Sequence, residues 1–501
     1  MPPRLPVPPY LALEALVVAT WVVVLGVLAS GNRQAALDQQ VHDTIDLAGI
    51  PKDSDEKWFG VYLQGAKVGT AVSASAPLAD GGLRIWEHSV LRLTAFGRTQ
   101  KVRTTTHVDT DPALRARRFA FRFDGEGGSI RAEGAPEGSG FRVHLQIPGS
   151  APQALDLPEP PVLGEAMLRA VARDGARRGG LAVGQRYRVP SFDPVTQARR
   201  EVEAQVVRQT PEGLFEVRYT LAGGEATATI DTQGELYRDT GLLGMEIRRE
   251  SRQVALNEGW PQGSAPDLIA LSAVPVDKKL ADARSVTHLR VVVDGPASLD
   301  PLLAQAHGAG WDAGTRRLTV DVPRSTGTYP IPLADERYRP WLKAEPGIEA
   351  ESALVRAKAG EILGETRDAR EAARLLNRWV FTALDKKSVV GVPSALQVLS
   401  SLEGDCNEHT ALFTALARAA GLPVRVAAGI VYTDSIDPQG SFYYHAWPVV
   451  WLGDAWVPVD PTFGQFPADA THLQIVEGGL DQQVDLVGVI GRLSLRVEQA
   501  E

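Results

Sequence analysis

The sequence holds a single cysteine, at position 406, among 501 residues. One thiol excludes any intrachain disulfide framework. An excess of positive charge is missing too: 52 Lys and Arg against 61 Asp and Glu leave a formal net charge of −9. That balance excludes a global field attracting nucleic acid or anionic lipid. Past Gly31 no stretch approaches the roughly 18 apolar residues that a membrane span needs, so the chain is at most single-pass. No self-similar period of roughly 20–50 residues, low-complexity tract or Asp-rich calcium loop is present, and no cofactor is implied. What remains is an ordinary globular composition, 44% hydrophobic and 23% charged, with apolar mass for two or three cores.

Tyr10 to Ser30 reads YLALEALVVATWVVVLGVLAS, 21 residues whose one charge is Glu14. At about 1.5 Å per residue it just spans a hydrocarbon core of about 30 Å. Arg4 before it favours a cytoplasmic amino terminus. The sequence therefore predicts a cytoplasmic tip and transmembrane anchor over 1–31, with the remainder extracytoplasmic, in the periplasm. A cleaved signal peptide is the alternative, with Val27 and Ala29 at the small-residue positions of a cleavage site. A lone thiol in an oxidising compartment cannot be half of an internal bridge and is open to oxidation. Its place at 406 calls for a chemical reason.

Residues 32–56 are polar and read as a linker. From 57 to 260 apolar and polar residues alternate between Gly, Asp and Pro punctuation, as in RRFAFRFDGEGGSIRAEG and LFEVRYTLAG. This is the period of antiparallel strands with one wet face. A predicted helix interrupts them at 164–178, and periodicity leaves one sheet or two open. Residues 261–338 carry a further strand group, THLRVVVDG and RRLTVDVP, read as a small β-sandwich or connector. The texture changes near Arg339: apolar residues three and four apart predict helices over about 350–386, opening a last domain at 339–501. The fold class is α+β, with a β-rich N-terminal region of antiparallel sheets and a mixed C-terminal domain.

The chemistry lies in EGDCNEHTALFTALARAAGLP (403–423). Asp405 is a good N-cap, Glu408 completes a capping box, Leu412, Phe413 and Leu416 make an apolar stripe, and Gly421 with Pro423 ends the helix. Cys406 is thereby placed in a first helical turn. There the partial positive charge of the helix end lowers a thiol pKa, and free N–H groups are ready for an oxyanion. VRVAAGIVYT (424–433), SFYYHAWPVVWL (441–452) and AWVPVDPTFG (455–464) then read as three strands of a meander. His445 lies on the second and Asp460 on the third, 39 and 15 residues along (445 − 406 and 460 − 445).

GDCNEHTALFTALARAAGLPVRVAAGIVY followed by YYHAWPVVWLGDAWVPVDPTFG resembles the catalytic core of the transglutaminase-like superfamily, of a bacterial membrane-anchored type and related to papain-type proteases by circular permutation. The resemblance covers roughly residues 350–480. It implies a transglutaminase-like, papain-like catalytic domain with Cys406 as nucleophile, His445 as general base and acid, and Asp460 orienting the histidine. The reaction it implies is thiol-mediated acyl transfer, or amide or peptide hydrolysis, on an extracytoplasmic protein or peptide. For the side-chain half of the oxyanion hole, Gln397 and Trp379 stand as alternatives.

Blander readings accompany each residue. Cys406 is otherwise a buried structural thiol, His445 a strand histidine among aromatics, and Asp460 the start of an Asp-Pro turn. His409, one helical turn after Cys406, raises a zinc reading with His445 and Asp460, set against structural packing. His472 in DATHLQIVEGG is a candidate to approach the site from the following strand, on sequence proximity alone. Trp447, Trp451 and Trp456 read as core and cleft wall. A non-catalytic extracytoplasmic binding or assembly protein keeping the same fold is the rival function.

Overall fold

The computed structural model describes residues 54–501 except 96–97, 126–127, 148–151, 222–223, 258–265, 307, 388–393 and 490. The anchor or signal read at 10–30, and the linker up to residue 53, lie outside the described residues. Among those described, no helix is long and apolar enough to cross a membrane. The described chain forms two compact units that divide between Leu271 and Ser272.

The first unit grows from period-2 patterning. In Ala116–Gly125 the rings of Phe119, Phe121 and Phe123 are buried, while Arg118, Ala120 and Arg122 face out. Fourteen such strands pair antiparallel into one sheet. Eight consecutive strands, Asp55–Leu63 to Gln153–Leu157, form one arm, and six, Arg186–Phe192 to Met245–Glu250, form the other. The arms meet where Met245–Glu250 pairs with Asp55–Leu63. The sheet rolls on itself, because Phe119 comes within 6.4 Å of Phe192 on the edge strand. Between the arms lies the helix Ala166–Arg177. Its Arg169 donates to Glu235 at 2.5 Å and to Ser75 at 3.2 Å, binding helix to sheet.

In the second unit, strands His288–Asp294, Ala309–Asp312 and Arg317–Asp321 do not stand alone: Ser494–Ala500 completes their four-stranded sheet. Helices Ala353–Leu363, Ala369–Ala383, Ala395–Ser401 and Cys406–Ala419 follow. They share a core to which Val355, Leu376, Val380, Leu412, Phe413 and Leu416 contribute. Beside them, Ser441–Trp451 pairs antiparallel with Val424–Thr433, whose other edge takes Leu473–Glu477. Gly429 makes that last pairing possible. It sits opposite His445, and a Cβ on it would lie 2.0 Å from the Leu473 carbonyl oxygen.

The first two strands of the meander stand as read, but the third stops early, at Trp456–Pro458. Asp460 is the cause: its Oδ1 accepts the amides of Thr462 at 2.6 Å and Phe463 at 3.0 Å, turning the chain after the Asp-Pro step.

Candidate active site

The capping box forms as the sequence indicates. Asp405 accepts the Asn407 amide at 3.0 Å, and Glu408 accepts the Asp405 amide at 2.8 Å. Cys406 therefore opens the helix, and it is fully buried. The cap has a second consequence. The amides of Asn407 and Glu408 are engaged by the Asp405 carboxylate, so these two are not free for an oxyanion, contrary to the reading of the helix end as a ready hole.

Thr410, one turn on, donates its hydroxyl to the Ala446 carbonyl at 3.0 Å and ties the helix to the His445 strand. The Ala446 amide in turn faces the Cys406 sulfur. His445 is wholly buried. Its Nε2 lies 2.8 Å from Asp460 Oδ2, and its Nδ1 has no hydrogen-bond partner among the described residues. Trp447 and Phe463 stack against the ring at 5.9 and 5.2 Å, fixing its plane. Asp460 thus both starts a turn and meets the histidine, so the two readings of that residue hold together.

His472 is the residue that sequence reasoning left aside. Its Nε2 reaches the same Asp460 Oδ2 at 3.0 Å, and its Nδ1 lies 3.0 Å from the Asp469 carbonyl oxygen. Only the pairing of Leu473–Glu477 with Val424–Thr433 carries it there, a contact that no local pattern announces. The donor atoms of His445, Asp460 and His472 fall within 4.8 Å of one another, a spacing that two hydrogen bonds to one oxygen account for. His409 turns its Nδ1 to the Asp405 carbonyl oxygen at 2.7 Å and packs beside the site. Trp379 and Gln397 are half-buried on neighbouring helices, Trp379 with Lys358 5.6 Å from its ring centre.

The electrostatics follow from burial. Burial pushes the Cys406 thiol well above its ordinary value; Asp405, Glu408 and Asp460 add to this, and the Ala446 amide opposes it. This runs against the expectation of a thiolate sustained by the helix end: desolvation and the neighbouring carboxylates favour the protonated thiol at rest. Burial lowers His445 against the pull of Asp460, and it lowers His409 to about 3, so both are neutral at pH 7. For Asp460, burial favours the neutral acid, but His445 and His472 outweigh it and hold the carboxyl well below the usual range. Burial likewise opposes charge on His472, yet Asp469 and Asp460 raise it to about 9.

The chain matches the Transglutaminase-like superfamily over residues 356–461. An uncharacterized protein of Haemophilus influenzae is 32% identical over 95 residues, 18% of this chain and 26% of that protein, so the match spans about a quarter of that relative's length. Among solved structures, a candidate cysteine protease from Cytophaga hutchinsonii is 14% identical, covering 46% of this chain and 84% of its own, with a TM-score of 0.26. A beta-barrel-like protein from Brucella abortus is 16% identical, covering 39% and 94%, with a TM-score of 0.30.

Proposed function

From the premise that this chain carries a transglutaminase-like domain at 356–461, we propose that it is a cysteine enzyme of acyl transfer, with Cys406, His445 and Asp460 as its catalytic residues. The observation that carries the reading is the His445 ring. One nitrogen is committed to Asp460 at 2.8 Å, the other has no hydrogen-bond partner among the described residues, and the neighbouring Ala446 amide faces the only thiol in the chain. A histidine held in that tautomer is a general base with its lone pair available.

In the proposed reaction the Cys406 sulfur attacks a carboxamide or peptide carbonyl while its proton passes to His445 Nδ1. His445 returns the proton to the departing amine, leaving a thioester that water or a second amine resolves. Asp460 keeps the imidazole oriented and stabilises its charged form. The substrate is a protein or peptide outside the cytoplasm, reached by a protein tethered through the segment at 10–30. Thioester capture tests this: wild type and Cys406→Ala are incubated with extracts of exported proteins and an amine probe. Labelling by wild type alone supports the reading, and identical labelling by both defeats it.

One observation favours the rival binding or assembly role, namely the complete burial of Cys406. A scaffold leaves that thiol inert even with exported proteins present, whereas an enzyme exposes it to them.

A further inference from the structure

We propose that His472 is a fixed imidazolium that positions Asp460 and restrains His445, so that the site works as a four-membered hydrogen-bonded array. This rests on the reading of Cys406 and His445 as nucleophile and base. The protonation state follows from donors and acceptors. The two ring nitrogens of His472 face oxygen acceptors only: Asp460 Oδ2 at 3.0 Å on one side, and on the other the Asp469 carbonyl at 3.0 Å with Asp469 Oδ1 at 3.5 Å. A backbone carbonyl cannot donate. Asp460 Oδ1 accepts two backbone amides, and its carboxyl is held well below the usual range, so Oδ2 faces His472 as an unprotonated acceptor. Both His472 nitrogens must therefore carry protons. His445 differs, because among the described residues only its Nε2 has a hydrogen-bond partner.

The charge has a built counterion. Asp469 is held by Arg284 at 2.9 Å, by the Gln465 amide group at 2.8 Å and by the Thr471 backbone amide at 2.8 Å. Of the other titratable or charged groups around His472, the neutral His445 lies 5.7 Å away ring to ring, and Arg425 and Glu477 pair with each other at 3.3 Å on the same cleft wall. Lys386 adds positive charge toward Asp460. Trp447 and Phe463 meet the His472 ring edge to face, and the ring is buried.

Two effects follow. His472 pins Asp460 Oδ2, and its charge occupies part of the carboxylate's field, which leaves less to stabilise a protonated His445. The thiolate–imidazolium pair is thus not stored at rest. The proton leaves sulfur for His445 Nδ1 as the sulfur–carbon bond forms.

The test uses the full chain, whose single thiol makes alkylation by iodoacetamide unambiguous. His472→Gln keeps a donor to Asp460 but removes the charge. The inflection of alkylation rate with pH that depends on His445 is expected to move up by about one pH unit in that variant. His472→Ala lowers the rate at every pH, and the Gln variant recovers it. With nitrogen-15 histidine, the His472 resonances, assigned by their loss in His472→Gln, show both nitrogens protonated at pH 7. A neutral His472, or an unmoved inflection in a Gln variant shown to be folded by circular dichroism, overturns the proposal. If His445→Ala leaves the wild-type profile unchanged, it is instead the role of His445 that fails, and the nitrogen-15 spectrum reports the His472 charge independently.

Discussion

Asp460→Asn isolates the central carboxylate without changing its size. In the native site each oxygen accepts two hydrogen bonds: Oδ2 from His445 and His472 at 2.8 and 3.0 Å, Oδ1 from the Thr462 and Phe463 amides at 2.6 and 3.0 Å. Asparagine offers one oxygen and one NH2 group: turned toward Thr462 and Phe463 the NH2 confronts two donors, and turned toward the histidines it confronts His472, while His445 pairs with it only in its other tautomer. One or two bonds to a charged acceptor are lost in a fully buried place, each contributing about 1.5–3 kcal/mol, so the expected loss is about 1.5–6 kcal/mol. Hydrogen exchange followed by mass spectrometry reads this locally: peptides covering 441–477 should open more easily by that amount, while peptides of the fourteen-stranded sheet stay unchanged. Thioester formation should fall by roughly 10⁴, because the neutral amide no longer selects the His445 tautomer. Exchange within about 0.5 kcal/mol of wild type in the 441–477 peptides would refute the four-bond account.

Three further predictions concern the same unit. Gly429→Ala forces a Cβ onto the Leu473 carbonyl oxygen; thermal unfolding of the second unit should show a loss of about 1–3 kcal/mol, and an unshifted transition would mean that this strand contact is not rigid. His472, raised to about 9 from an ordinary value near 6.5, contributes stability that is full below about pH 6.5 and lost as pH rises to about 9, at most about 3 kcal/mol. His445, lowered by burial, acts oppositely on acidification. Urea titrations between pH 6.5 and 9 should fall in wild type and flatten in His472→Gln. Native Cys406 should alkylate at pH 7.5 at least tenfold more slowly than the same thiol in urea, as its burial and raised pKa require; equal rates would contradict the closed site.

The sequence by itself determined the elements whose causes are local. Alternation at Phe119, Phe121 and Phe123 specifies a strand with one buried face, and Asp405 with Glu408 specifies where the cysteine helix begins. Spacing and motif likewise brought Cys406, His445 and Asp460 to notice. Tertiary structure decided what depends on distant partners. Whether 57–260 makes one sheet or two was settled by pairing Asp55–Leu63 with Met245–Glu250, nearly two hundred residues away in sequence. The strands of 288–321 needed the chain's last residues to complete their sheet. His472 reaches Asp460 only because Gly429 lets the following strand close in. The thiol's charge was decided in the same way: a helix end favours the anion locally, but burial of the whole first turn removes the water that would solvate it, and only the packed fold reveals that burial.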